Sequence, residues 1–325
     1  RTGKTNDYKY RVSEHGYFIF NLVFQLPSRW RPEMSNITVV TRGLAPFDLY
    51  PYNPSATAAW TFLVLFAIVG VVHIVYMFIL RAWFAMPLIL GCVGEAFGYY
   101  GRAQSHDNIR NGGMYLIQLM LLLAAPPFLA ATIYMSLGRI IRSLEGERHA
   151  MIRVTWLTKI YVVVDIACFV CQMAGSAMQS SGDPAGTKLG INIVLGGLGF
   201  QIFAFVIFVL MACRFHYRLN REPTWISREP SIRWRRCMWV LYATSLLVLI
   251  RNFYRIVEFG AGSDSAVYKS EVYLYVLDGS LMWLLVLFLI IVHPGALFRT
   301  ARRLKKLGGM SSEEDEEAIS LTDRK

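Results

Sequence analysis

Charge is scarce in this sequence. Only 17% of its 325 residues are Asp, Glu, Lys or Arg, against about 25% in a soluble domain. Cysteine is scarcer, five in all, with no spacing pattern that reads as an extracellular disulfide framework, so a secreted scaffold of that kind is excluded. No Gly-rich phosphate loop ending in Gly-Lys-Ser/Thr occurs, so the chain carries no recognisable ATP-driven motor. What is abundant is apolar surface: 55% of residues are hydrophobic and the mean hydropathy is +0.40. Disorder is excluded by the same numbers, and a soluble enzyme fits them poorly.

The apolar residues gather in seven blocks, about 56–80, 84–104, 113–136, 154–179, 189–213, 237–257 and 271–293. Each is long enough for a helix to cross an apolar layer about 30 Å thick, which takes about 20 residues. The expected fold is all-α, a polytopic bundle of seven transmembrane helices. A polar, aromatic segment, 1–55, precedes it and a tail, 294–325, follows. The net charge of +11 does not point to nucleic acid, because the basic residues collect in alternate connections. Loops one, three and five and the tail hold nineteen Lys and Arg, and loops two, four and six hold four, counting Arg102 at the end of the second block. This predicts an amino end outside and a carboxyl end in the cytosol. The sequon Asn36-Ile-Thr38 then falls outside, as a glycosylation site must. Phe298 to Lys306 holds five basic residues, suited to anionic lipid at the cytoplasmic face. The run Ser311-Ser-Glu-Glu-Asp-Glu-Glu317 reverses that sign.

Ionisable groups inside spans are costly and usually turn toward the bundle interior or a wet cavity. Here they recur at helical spacing. Glu95 and Arg102, Asp165 and Gln172, and Glu271 and Asp278 are each seven apart, and Arg251, Arg255 and Glu258 follow at steps of four and three. These intervals place side chains on one helix face. Gln118 and Gln201 add neutral donors and acceptors. The candidate binding residues are therefore Glu95, Arg102, Gln118, Asp165, Gln172, Gln201, Arg251, Arg255, Glu258 and Asp278. They suggest a polar cavity in the outer half of the bundle, with Asp165 or Asp278 as the partner of Arg251. The alternative is that such pairs only hold helices together.

Glycines at 91, 94, 98 and 101 make a small-residue ridge on the second span, and Gly196, Gly197 and Gly199 are expected to do the same on the fifth. Pro126-Pro127 interrupts the third span, so neighbours must satisfy the freed carbonyls. Cys168 and Cys171 have CxxC spacing but lie within an apolar helix, where packing is the ordinary role. His73 and His293 are weak metal candidates: two imidazoles suit the axial positions of a haem or porphyrin iron but fall short of a zinc hydrolase site. No cofactor is otherwise expected.

Several segments together resemble the fungal RTA-like family of lipid-translocating exporters. They are Tyr52-Asn-Pro-Ser55; Glu95-Ala-Phe-Gly-Tyr99 with Arg102; Gln118 followed by Ala124-Ala-Pro126; Tyr134-Met-Ser-Leu-Gly-Arg139; and Asp165 with Gln172. Gly199 with Gln201, Arg251-Asn-Phe-Tyr-Arg255-Ile-Val-Glu258, Glu271 with Tyr275 and Asp278, and His293-Pro-Gly295 complete the set. The resemblance covers about 50–298 and departs from the family at Gly175-Ser-Ala-Met178, where a glycine-richer stretch is expected. It implies a seven-helix protein of fungal membranes, linked to resistance against toxic amphiphiles and export of sphingoid long-chain bases. One member of the family is associated with porphyrin uptake.

The expected function is thus translocation of lipid-like amphiphiles, not catalysis, at the plasma membrane, with an internal membrane as the alternative. The partners would be membrane lipids or amphiphilic small molecules, and no nucleic acid. A seven-helix lipid-sensing receptor is the competing reading, given the basic connection 214–236. An intramembrane enzyme or porphyrin-handling protein built on the two histidines is the third.

Overall fold

A computed structural model describes residues 50, 52–179, 184–261 and 265–306. Asn36, the segment 1–49 and the acidic run 311–317 lie outside the described residues. The chain runs as α1 (Ala56–Ile79), α2 (Met86–Gln104), α3 (Gly112–Ser143), α4 (Val154–Gln179), α5 (Pro184–Arg221) and α6 (Trp234–Gly260). Then come α7 (271–291) and α8 (294–306).

Local chemistry sets the helix starts. Ser55 caps α1 by accepting from the Ala58 amide at 3.3 Å, and Asn111 caps α3 by accepting from the Met114 amide at 3.3 Å. Both satisfy an amide that a first turn leaves without a partner. A short 3₁₀ turn, Trp83–Ala85, leads into α2, whose proline sits in the first turn, where its missing N–H costs nothing. Helix α7 is built in three pieces: Glu271–Leu274, a π-helical turn at Tyr275–Gly279, and Ser280–Ile291. The Ser280 amide and hydroxyl both donate to the Tyr275 carbonyl, which holds the wide turn.

Helices α1 to α7 pack in sequence order, α7 closes against α1, and α3 also reaches α6 across the middle. Helix α3 is accordingly the most buried of the long apolar helices. Among the described residues six helices are long and apolar enough to cross a membrane: α1, α3, α4, α5, α6 and the stretch 271–306. Helix α2 is not among them. Its 19 residues span about 28 Å, but Glu95, Arg102 and four glycines lower its hydropathy. The outer faces carry a wide apolar belt, including Val163, Ile166 and Val170 on α4 and Phe200, Phe203 and Leu210 on α5, each more than half exposed. A belt of that size is matched to lipid rather than water.

Several boundaries move outward from their sequence positions. Helix α5 runs to Arg221 and α6 begins at Trp234, so the broad basic connection shrinks to 222–233. Helix α3 passes through Pro126-Pro127 to Ser143. The glycine ridge of α2 packs as its spacing predicts. A Cβ at Gly91 or Gly98 would lie within 3.0 Å of Leu129 or Leu122 side-chain atoms on α3. The corresponding expectation on α5 holds only at Gly197, where a Cβ would stand 3.4 Å from the Cys168 carbonyl oxygen on α4; Gly196 and Gly199 face open space. A closer contact between α4 and α5 is made at Gly175, where a Cβ would stand 2.6 Å from the Gly190 carbonyl oxygen.

Candidate functional site

The ten candidate residues resolve into three buried groups rather than one open cavity. The central group joins α2, α6 and α7. Arg251 Nε donates to Asp278 Oδ1 at 2.6 Å, and Arg255 Nη2 donates to Asp278 Oδ2 at 2.6 Å. Arg255 Nη1 donates to Glu258 Oε2 at 2.8 Å, and the Tyr254 hydroxyl to Glu258 Oε1 at 3.2 Å. Arg251 Nη1 donates to Asn252 Oδ1 at 3.3 Å, and its Nη2 to the Leu122 carbonyl on α3 at 3.1 Å. Asp278 is therefore the partner of Arg251, and of Arg255 as well. Asp165 is not.

Glu95 completes this group and differs from it. It is fully buried, yet neither carboxylate oxygen has a hydrogen-bond partner. Its electrostatic neighbours are Asp278, Arg251 and Arg255. Two guanidinium groups thus face three carboxylates, of which Asp278 and Glu258 are already bonded. Nearby donors are also unused: Arg255 Nε, the Tyr99 hydroxyl and Asn252 Nδ2 are buried without partners. Unsatisfied buried polar atoms are rare in proteins, and here both acceptors and donors are left without partners in one group.

The second group stands where the chain enters α1. Arg102 Nη2 donates to Glu271 Oε1 at 2.9 Å and to the Tyr52 hydroxyl at 3.0 Å, and its Nε donates to the Tyr275 hydroxyl at 3.1 Å. Its guanidinium also lies 5.3–5.8 Å from the ring centres of Tyr50, Tyr52 and Tyr275, which adds cation–π attraction. Glu271 in turn accepts the Ser55 amide at 2.9 and 3.1 Å. Gln118 joins through Tyr50, whose hydroxyl donates to Gln118 Oε1 at 2.7 Å. The third group bridges α4 and α5: Gln201 Nε2 donates to Asp165 Oδ1 at 3.2 Å, and Gln172 Nε2 to Gln201 Oε1 at 3.0 Å. The Tyr134 side chain of α3 faces Asp165.

The sequence reading missed several participants. Glu271 was visible in the stripe but sits at the end of its span. Tyr50, Tyr52, Tyr99 and Asn252 carry no periodic signal that separates them from packing residues. Glu271 and Asp278 also serve different helices, Arg102 on α2 and Arg251 on α6: Glu271 precedes the π-helical turn and Asp278 lies within it. An aromatic column separates the central and second groups: Phe62 stacks on Tyr99 at 5.2 Å and on Tyr275 at 5.1 Å. Gly279 admits it, since any Cβ there would collide with the Tyr99 hydroxyl and the Phe62 ring.

His73 and His293 do meet, with ring centres 5.9 Å apart and planes at 42°. Each is engaged locally: His73 Nε2 bonds the Val286 carbonyl at 3.1 Å, and His293 Nδ1 accepts the Gly295 amide at 3.0 Å. Tyr76 and Phe84 pack against His293. Among the described residues no cluster of three or more His, Cys, Asp or Glu could hold a metal ion. Cys168 is buried and Cys171 exposed, and neither is in a disulfide.

An all-helical bundle with six long apolar helices, an apolar outer belt and its ionised groups turned inward is a multi-pass integral membrane protein. A family model described as "RTA1 like protein" matches residues 88–301, which span all ten candidate residues, and the chain belongs to that fungal family. Three relatives come from Saccharomyces cerevisiae. "Protein RTA1" is 32% identical over 76% of this chain and 85% of its own length. "Protoporphyrin uptake protein 1" is 31% identical over 74% and 90%. "Sphingoid long-chain base transporter RSB1" is 24% identical over 74% and 71%. No solved structure matches the chain.

Proposed function

We propose that this protein moves lipid-like amines, of the sphingoid long-chain base type, across the membrane and thereby confers efflux or resistance. The observation that carries the reading is Glu95: a fully buried carboxylate with both oxygens unpaired. An ammonium group leaving water needs a counter-charge inside the bilayer, and this is the carboxylate of the central group that is not already bonded. The head of a long-chain amino-diol also carries hydroxyls. The unused Tyr99 hydroxyl and Arg255 Nε suit these as donors, while the alkyl tail stays against the apolar helix faces. The relatives' names support cargo that is amphiphilic.

In this reading α2 is the seventh crossing, the amino end lies outside, and the plasma membrane is the site of action. Access to Glu95 requires α2 and α7 to part. Pro126-Pro127 and the π-helical turn are where the backbone ladders are already interrupted, and such turns mark functional sites. Without a phosphate loop, movement is downhill, coupled to an ion or dependent on a partner. The reading is tested by binding of a long-chain 2-amino-1,3-diol to the purified protein, beside its neutral N-acyl analogue. The amine should bind about tenfold or more weaker to Glu95→Gln, the loss of one charged hydrogen bond, and the N-acyl analogue should not discriminate. Equal amine binding by both proteins would remove Glu95 from the site.

A further inference from the structure

We propose that the basic cleft between the end of α3 and α8 binds the phosphate-bearing headgroup of a membrane lipid. The cleft has a volume of about 360 Å³ and is lined by Arg139, Arg142, Ser143, Phe298, Arg302 and Lys305, among others, a size suited to a small ligand. No carboxylate lines it. Lys305 is held from outside, by Glu145 at 3.0 Å and the Arg142 carbonyl at 3.3 Å. Among the described residues Arg139, Arg142 and Arg302 have no acidic partner. Arg142 and Arg302 are the charges that act on Arg139.

Three guanidinium groups held together without an anion repel one another. The fold nevertheless fixes them there. Arg139 lies over the Phe84 ring at 4.7 Å, and α8 is anchored by Leu297, Phe298 and Ala301, all buried against the bundle. A multiply charged phosphate converts that repulsion into several charge-assisted hydrogen bonds, for which planar guanidinium groups are well shaped. The second cleft at this end, about 320 Å³ between Ser227 and Arg236, contains Glu229 among its arginines and lacks this imbalance. A lipid is favoured over free phosphate by position. Helix α8 follows directly on α7, so the cleft opens at the membrane edge with an apolar floor, where a headgroup can enter while its chains stay in the bilayer.

The test uses the full chain in neutral-lipid nanodiscs, titrated with a short-chain phosphoinositide bisphosphate, short-chain phosphatidylserine and inorganic phosphate. Two charge-matched variants are compared: Arg139→Gln/Arg302→Gln, in the cleft, and Arg299→Gln/Arg303→Gln, on α8 but outside it. The phosphoinositide should bind more tightly than phosphatidylserine, and the cleft variant alone should weaken it about tenfold or more, given the usual worth of each basic group near a membrane. Equal weakening by both variants would mean diffuse attraction and would overturn the site. So would inorganic phosphate binding as tightly as the lipid. Binding that emerges only after Glu313, Glu314, Asp315, Glu316 and Glu317 are neutralised would also overturn it, by assigning the cleft to the chain's own acidic run. None of these outcomes bears on Glu95.

Discussion

Arg251 donates to the carbonyl oxygen of Leu122 at 3.1 Å, the acceptor that Pro126, four residues on, cannot serve. In an α-helix each carbonyl takes the amide four residues ahead, and proline has none. A break in the ladder of α3 is thus mended from α6, by the same guanidinium that holds Asp278 on α7. One side chain fixes three helices to one another.

This coupling is measurable. Arg251→Lys should cost about 2–4 kcal/mol of stability, because a lysine cannot serve Asp278 and Leu122 in the same fork geometry. In a Pro126→Ala background, where the restored backbone amide satisfies Leu122, the same change should cost about 1 kcal/mol less. Thermal unfolding in detergent reads the cycle; additive losses would mean that the two contacts are independent.

The two acids bonded to Arg255 should differ. Asp278 is 1% exposed and serves two arginines, whereas Glu258 is 15% exposed and serves one. Asp278→Asn leaves a buried charge uncompensated and should cost about 3–5 kcal/mol. Glu258→Gln should cost about 1 kcal/mol or less. Unfolding midpoints of the two variants check the order.

Close backbone approaches give a sharper contrast. Gly175→Ala would bring a Cβ to 2.6 Å from the Gly190 carbonyl and 2.7 Å from Val194 Cγ2, and should destabilise the α4–α5 pair by about 1–3 kcal/mol. Gly196→Ala meets nothing within 4 Å and should be neutral or gain up to about 1 kcal/mol from helix propensity. Unfolding temperatures of the two single variants decide it.

At the basic end, the Lys305 ammonium, with help from the Trp225 indole N–H at 2.9 Å, holds Glu145 below the usual carboxylate range. A lowered pKa means stability that is present above the ordinary value of about 4.3 and lost as pH falls through the depressed one. The parent should therefore unfold at a higher temperature than Glu145→Gln at pH 7, and the gap should close in acid below the usual carboxylate range. A gap independent of pH would show that this ion pair does not titrate with folding.

Much of this architecture was legible in the sequence because membrane helices announce themselves by length and hydropathy. Six of the seven blocks could be read as spans, and the stripe residues and the need to mend Pro126-Pro127 could be read as well; the remaining block, α2, forms a helix but is not apolar enough to be counted with them. Which stripe met which could not. Spacing of seven places Glu271 and Asp278 on one face, but only coordinates reveal that one meets Arg102 and the other Arg251. Spacing likewise cannot tell Gly175, which touches a neighbour, from Gly196, which does not. Glu95 was one of the residues picked out by periodicity, yet its lack of any hydrogen bond follows from three-dimensional packing. Tyr52 and Tyr99 were visible only within the segments of the family resemblance, and Tyr50 not at all, because aromatic side chains are common throughout such helices and periodicity does not separate them from packing residues.

The most direct measurement is leaflet-to-leaflet movement of a long-chain 2-amino-1,3-diol in liposomes containing the purified protein, with Glu95→Gln and Glu258→Gln at equal protein content. The account predicts fast movement with the parent and Glu258→Gln, and a rate about tenfold or more lower with Glu95→Gln. Movement as fast with Glu95→Gln as with the parent would contradict it.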